Sequence, residues 1–452
     1  MMPFARRNPA VRRIFVSCLI LVAAAFVAPT AARAIDIQKV VSDKGVVAWF
    51  VPDRSVPLVA VSFAFRDAGS ATDPDGKEGL AEMVSGLLDE GAGDLPSQAF
   101  QTALEEIAAK LSFDASRDRF SGRLLTLASE RDRAFALLRL ALNSPRFDDR
   151  PVERIRGQMQ AGLQQQAEDP QHIAGEIWRK TVFPDHPYAK PSDGTAATVA
   201  AIAADDLRRF VKARFGRDRL VVGVVGDIEV AELRRRLDEI FGDLPATTPP
   251  IDIPEARLAG AGRTLVVEKP IPQSIIVLGH GGISRDDPDW YAATLVNRVF
   301  GGGGLSSRLY EEVREKRGLA YSVYSYLNPL QYGAIIAGGT ATQNPRAGES
   351  LDVILAEWKK LSENGITEAE LQTAKDYTNG SFPLRLDSSR GIADILVAIQ
   401  FSRLGIDYLG KRRDLINAVT LDQANRVARR LYRPEALTVV VVGKPEGIAE
   451  RP

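Results

Sequence analysis

AIAADDLRRFVKARFGRDRLVVGVVGD, from Ala201 to Asp227, has a counterpart in AVTLDQANRVARRLYRPEALTVVVVGK, from Ala418 to Lys444. Ile202 aligns with Val419, Asp205 with Asp422, Phe215 with Tyr432 and Gly226 with Gly443, all at one offset of about 217 residues. Both stretches read as an amphipathic helix followed by a buried strand that ends in glycine. Each half also opens with a strand pair and a long apolar helix, at Leu80–Leu88 and Tyr291–Phe300. One order of elements at so long a period marks a duplicated domain of about 200 residues rather than a solenoid of short repeats.

Working outward, a proline-rich stretch, PATTPPIDIPEARLAGAG, separates the halves. The expected organisation is a signal segment at 1–34, a first domain at 35–244, a linker at 245–262 and a second domain at 263–452. In the first half the patterning predicts strands at Val46–Val51, Leu58–Phe65, Leu111–Ser116, Arg119–Leu127 and Leu220–Val225. It predicts helices at Gly79–Leu88, Ala99–Lys110, Glu130–Leu142, Val152–Gln166 and Ala204–Phe215. Strands and helices mix without strict alternation. That favours an α+β class, with a mostly antiparallel sheet and helices on one face in each of two homologous domains.

The formal charge of the whole chain is zero, but residues 1–34 hold five arginines and no acid. Behind four of those arginines runs IFVSCLILVAAAFVA, then Pro29 and a small-residue site at Ala32–Ala34. This is the pattern of a secretory signal peptide cleaved before Ile35, with a membrane anchor as the alternative. The remainder would carry a charge of −5 and no basic block of the kind that binds nucleic acid. Its only cysteine, Cys18, would leave with the signal, which excludes disulfide and thiol chemistry. An exported chain without cysteine suits a bacterial periplasm.

The most chemically informative segment is LSSRLYEEVREKRGLAYSVYSYL, Leu305–Leu327. Ser306 or Ser307 can cap a helix whose apolar face is Leu305, Leu309 and Val313, and Gly318 fits the left-handed residue that closes it. Leu319, Tyr321 and Val323 then alternate with Ala320, Ser322 and Tyr324 at strand spacing. Arg314 and Tyr321 can therefore converge, a charged fork beside a phenol, to hold a carbonyl oxygen or a developing oxyanion. A surface arginine and a core-edge tyrosine would satisfy the same spacing. The run Gly301–Gly302–Gly303–Gly304 lacks the lysine and Ser/Thr of a phosphate loop, and reads as a flexible turn between two helices. The tyrosines at 321, 324 and 326 suggest either a stacking platform or a core and cleft wall.

Together, the duplicated α+β domain, FPDHPYAKPSDG at Phe183–Gly194, GGGGLSSRLYEEVREKRGLAYSVYS at Gly301–Ser325 and the two VVG endings resemble the pitrilysin/insulinase-type zinc peptidases, or inverzincins, whose signature is H-x-x-E-H. The resemblance spans nearly all of the chain after the signal. It implies a clamshell assembly in which Arg314 and Tyr321, at the family's spacing of seven, reach substrate at a zinc site. The chain departs from the family at that zinc site. In GLAEMVSGLLDEG, Glu82 stands where the first metal histidine is expected, Ser85 where the catalytic glutamate is expected and Gly86 where the second histidine is expected. The third ligand should fall in VERIRGQMQAGLQQQ, which offers Glu153 near its start and glycine or glutamine beyond.

His172, His186 and His280 fit no compact ligand pattern, and His186 matches a family loop position that orders backbone. The resemblance therefore implies no cofactor in this chain. It implies zinc in a partner, a homologous H-x-x-E-H subunit, and a peptide substrate. This chain would be the non-catalytic subunit of a heterodimeric periplasmic zinc peptidase. The alternatives are a peptide-binding or scaffolding protein of the same fold, or a metallopeptidase with an unorthodox site.

Overall fold

The computed structural model describes residues 35–451. The expected signal peptide and its cleavage site lie outside them. Among the described residues no helix is long and apolar enough to cross a membrane.

Eight strands precede the proline-rich stretch: β1 Gln38–Val41, β2 Val47–Pro52, β3 Leu58–Arg66, β4 Gly91–Ala92, β5 Leu95–Pro96, β6 Lys110–Ala115, β7 Arg119–Leu127 and β8 Leu220–Gly226. Five follow it: β9 Thr264–Glu268, β10 Gln273–Gly281, β11 Ala320–Leu330, β12 Gly333–Gln343 and β13 Thr438–Gly443. The first sheet has the order β1-β2-β8-β3-β7-β6 and the second β11-β12-β10-β13-β9, while β4 and β5 pair as a short ribbon. Read from the other end, β9-β13-β10-β12-β11 repeats β2-β8-β3-β7-β6 strand for strand. Both sheets carry one parallel pair, β2 with β8 and β9 with β13, and are otherwise antiparallel. The duplication expected from the two VVG endings thus extends over both sheets, and the α+β fold class is as expected.

The matched helices are set by their own sequences. Thr420 caps Leu421–Leu431 through a capping box with Gln423, and Ala424, Val427, Ala428 and Leu431 turn inward at three- and four-residue spacing. Burying a Val or Leu side chain of that face contributes about 1.5–3 kcal/mol. Helix Ala204–Arg214 does the same in the first half with Leu207 and Phe210.

Strand alternation divides each sheet into two faces. On β3, Val59, Val61, Phe63 and Phe65 join the core under the helices of their own half. The opposite face of that strand, at Ser62 and Ala64, receives helix Ser389–Phe401 from the second half. Reciprocally, helix Pro170–Val182 of the first half packs on the second sheet, where Ala174, Trp178 and Val182 meet Ile275, Ile335, Val440 and Val442. The Trp178 indole donates to the Thr438 carbonyl at 3.0 Å. Glycines make the room: a Cβ on Gly223 would lie 2.6 Å from the Ala393 carbonyl oxygen, and one on Gly279 would lie 2.7 Å from the Trp178 ring. The helices expected on one face of each sheet are there, and the exchange adds one helix from the other half to the second face. From Ile37 onward the described residues accordingly cluster as one compact unit.

Candidate functional site

Arg314 lies near the end of a helix that differs from the expected one. After a single 3-10 turn at Gly304–Ser306, the chain makes one α-helical step and then a π-helix, Tyr310–Glu315. Ser307 is the cap, its hydroxyl accepting the Tyr310 N–H at 3.4 Å. Leu309 and Val313 are buried as expected, but Leu305 is 74% exposed because the 3-10 turn takes it off the helical face. Gly318 has φ +59°, its N–H donates to the Arg314 carbonyl at 2.8 Å, and the Leu319 N–H donates to the Val313 carbonyl at 2.9 Å.

The strand that follows is β11, an edge of its sheet. Between Ala320 and Val323 its register against β12 shifts, which is a β-bulge. The expected alternation placed Tyr321 and Val323 on one face. The bulge separates them: Val323 is buried in the core and Tyr321 is 81% exposed. The Arg314 guanidinium stands 4.5 Å from the centroid of the Tyr321 ring and 4.8 Å from that of buried Tyr310. The two residues singled out by spacing therefore meet, with the arginine held between two aromatic faces. Its nearest carboxylate is Glu315 at 3.9 Å, and among the described residues neither the guanidinium nor the Tyr321 hydroxyl is committed to a hydrogen bond. Five N–H donors and a phenol thus stand free at an exposed point beside an open strand edge.

Farther along the same edge, Tyr324 and Tyr326 stack with centroids 6.2 Å apart, and the Tyr324 hydroxyl accepts from Gln171 at 3.2 Å. The glycine run has a mixed role. A Cβ on Gly301 would lie 2.7 Å from the Ser325 backbone nitrogen, and Gly302 and Gly303 are hemmed by Asn297 and by the Arg298 carbonyl. These three are present for close packing against β11 and the preceding helix, which corrects the reading of the whole run as a flexible turn. Gly304 alone has open space, with φ +60°.

In the first half, Glu82, Ser85 and Gly86 fall on the short helix Leu80–Ser85 and its C-terminal cap. Asp73 accepts the N–H groups of Gly79 and Ala81, each at 3.0 Å, and so holds the start of this helix. Burial first, then the charges of Asp193 and Asp114, push the Glu82 carboxyl up to about 7. Ser85 is buried and its hydroxyl donates back to the Glu82 carbonyl at 2.8 Å. A Cβ on Gly86 would stand 3.3 Å from the Ile155 side chain, on the helix Asp149–Glu168 that should bring the third ligand. Glu153 on that helix is largely exposed and pairs with Arg156 at 3.2 Å. These four residues do not fit zinc: Gly86 has no side chain, Ser85 is bonded to its own helix and Glu153 points to solvent, which leaves Glu82 as a single carboxyl where three ligands are needed. Among the described residues no three His, Cys, Asp or Glu side chains group as a metal site.

The histidines are structural. His186 orders its loop, with Nδ1 accepting the Tyr188 N–H at 3.1 Å and Nε2 at 3.0 Å from the Pro254 carbonyl. His280 is buried at the end of β10, accepts from the Trp358 indole at 3.1 Å and is pushed down to about 4 by that burial. His172 lies in the first turn of a helix capped by Asp169.

Residues 56–196 match the model of the insulinase family, peptidase family M16, and residues 201–377 match that of the peptidase M16 inactive domain. The chain belongs to the M16 peptidase family. It is 29% identical over 330 residues to the "Non-peptidase homolog YmxG" of Helicobacter pylori, covering 73% of this chain and 76% of that protein. It is 26% identical over 382 residues to an uncharacterized zinc protease of Streptomyces coelicolor, covering 82% of both. A crystal structure of the peptidase M16 inactive domain from Pseudomonas fluorescens superposes with a TM-score of 0.86 at 28% identity, over 92% of this chain and 100% of that one. The M16 chain described here is thus an inactive-type member, without the H-x-x-E-H motif.

Two contributors to the site escaped the sequence reading. Tyr310, four residues before Arg314, is the second ring against the guanidinium, and its i, i+4 spacing was a usable signal. Asp73 holds the helix of the degenerate metal site from nine residues before Glu82, where no local pattern marks it.

Proposed function

We propose that this chain is the non-catalytic subunit of a two-chain zinc peptidase. The observation that carries this reading is the Arg314–Tyr321 pair: free donors at an exposed point of a chain whose own metal positions cannot hold zinc. A homologous partner with H-x-x-E-H supplies the zinc and the general base. Arg314 and Tyr321 donate to the scissile carbonyl oxygen as negative charge develops on it, the interaction that accelerates the step rather than merely binding substrate. The peptide adds as a strand to an open sheet edge, which accepts many sequences because backbone groups make the bonds. β11, with its bulge beside the pair, is the edge this reading uses. The signal-like pattern of residues 1–34 supports export, which suits a pair of subunits working in a bacterial periplasm.

The test is reconstitution. The chain beginning at Ile35 is purified alone and with an H-x-x-E-H relative encoded beside it. Alone it should hold no stoichiometric zinc and cleave no unstructured peptide; the mixture should cleave faster than the relative by itself. A relative equally active without this chain would leave the scaffold reading in its place.

A further inference from the structure

On the side of the second half where helix Ser389–Phe401 crosses to the first sheet, a cavity of about 250 Å³ opens between that helix, Trp290–Asn297 and Tyr408–Asn417. Three arginines line it, Arg285, Arg385 and Arg412, and none of its lining residues is acidic. Arg285 lies against the Trp290 and Tyr291 rings at 4.9 and 5.5 Å and donates to the Tyr408 hydroxyl at 3.3 Å. Arg412 lies 4.0 Å from the Phe382 ring and donates to the Thr378 carbonyl at 3.2 Å.

Among the described residues none of the three arginines forms an ion pair. Two acids near the cavity in sequence are engaged elsewhere: Asp286, beside Arg285, takes the Ser284 hydroxyl and Asp407, beside Tyr408, pairs with Lys411. Arg412 is disfavoured as a cation, first by burial and then by Arg385. Guanidinium groups lining one cavity, Arg285 and Arg412 half-buried and Arg385 exposed, with N–H donors to spare and no ion-pair partner, are a receptor for an anion. The rest of the wall mixes apolar side chains, including Leu295, Ile399 and Leu404, with the neutral hydroxyls of Thr294, Thr378 and Ser402. The volume is below that of most drug-sized ligand sites and admits a body of about one amino-acid side chain.

We propose that this cavity binds a small carboxylate on an apolar body, its carboxyl group forked by Arg412 and Arg385 and its body against Phe382, Trp290 and Tyr291. A free short-chain acid and the C-terminal residue of a peptide present this same chemistry. The proposal is independent of the peptidase reading, since it uses none of the residues around Arg314.

Titration calorimetry on the chain beginning at Ile35 tests it with N-acetyl-L-phenylalanine, which mimics a peptide C-terminus, its neutral amide, and hexanoate. One equivalent of at least one acid should bind, and the amide should bind at least tenfold more weakly than N-acetyl-L-phenylalanine if that acid binds. The tighter of the two acids identifies the source. Arg412→Gln should weaken the bound acid about tenfold or more. Arg385→Gln, at an exposed side chain, should weaken it several-fold. No binding of either acid, equal binding of acid and amide, or unchanged affinity in the folded Arg385→Gln protein would overturn the proposal.

Discussion

Arg314 and Tyr321 could be paired from the sequence because helix, closing Gly318 and strand lie in one contiguous segment, at a spacing of seven that the family resemblance singles out. How the tyrosine reaches solvent was not legible. Alternation assigns it to the buried face with Val323, and only the two-for-one pairing of the bulge against β12 turns it outward. At Glu82 the sequence shows a missing ligand but not the carboxyl's surroundings, which come from Asp193 and Asp114, distant in sequence. Because that carboxyl sits at about 7 against an ordinary 4.5, the folded state holds the extra proton between those values. Stability therefore falls as pH rises from about 4.5 to 7 and the cost is complete above 7. We predict that Glu82→Gln stabilises the protein by about 1–3 kcal/mol at pH 8 and far less at pH 4.5, read by urea unfolding at the two pH values. An equal effect at both would show that Glu82 is ionised throughout.

At the scale of the element, caps and amphipathic faces were readable and irregular turns were not. Helix Arg131–Asn143 and strand β7 fall within a residue of the expected ranges, since each has a clean period and clear ends. Over Arg298–Glu315 the sequence pattern predicts two helices joined by glycines. It forms instead two π-helices around a 3-10 turn, because Gly301, Gly302 and Gly303 bring the chain too close to β11 and to the preceding turn for regular α geometry. Two substitutions separate the roles of glycine here. Gly318→Ala has open space and suffers only the left-handed backbone, so it should cost about 1 kcal/mol. Gly301→Ala must displace the β11 backbone and should cost about 1–3 kcal/mol while disturbing the bulge that aims Tyr321. Denaturant melts of both proteins check the order; a costlier Gly318→Ala would contradict it.

At the scale of the molecule, the duplication was legible from two strand endings, but the exchange of helices was not. Nothing local marks Pro170–Val182 or Ser389–Phe401 as covering the other half's sheet, because the choice depends on contacts more than 150 residues apart in sequence, such as Ser62 with Asp394 at 2.6 Å and Arg123 with Asp394 at 2.9 Å. Once the helices are exchanged, neither half owns both faces of its sheet, so the chain should unfold as a unit. Gly223→Val would press on Ala393 and Leu396 and should lower stability by about 1–3 kcal/mol or more in a single transition. Two separated transitions in the unsubstituted protein would contradict this coupling.

The exchange also fixes the second half against the first, so that two of the sheet edges, β6 near Glu82 and β11 at Tyr321, belong to one body. That body is what a zinc-bearing partner would close upon. The most direct measurement is the turnover of an unstructured peptide by the reconstituted pair, with Arg314→Ala and Tyr321→Phe compared with the unsubstituted chain at matched assembly. Each variant is predicted to lower kcat by about 10²–10³ while leaving the pair assembled, as loss of one donor to a developing oxyanion does. Unchanged turnover in both variants would contradict the account.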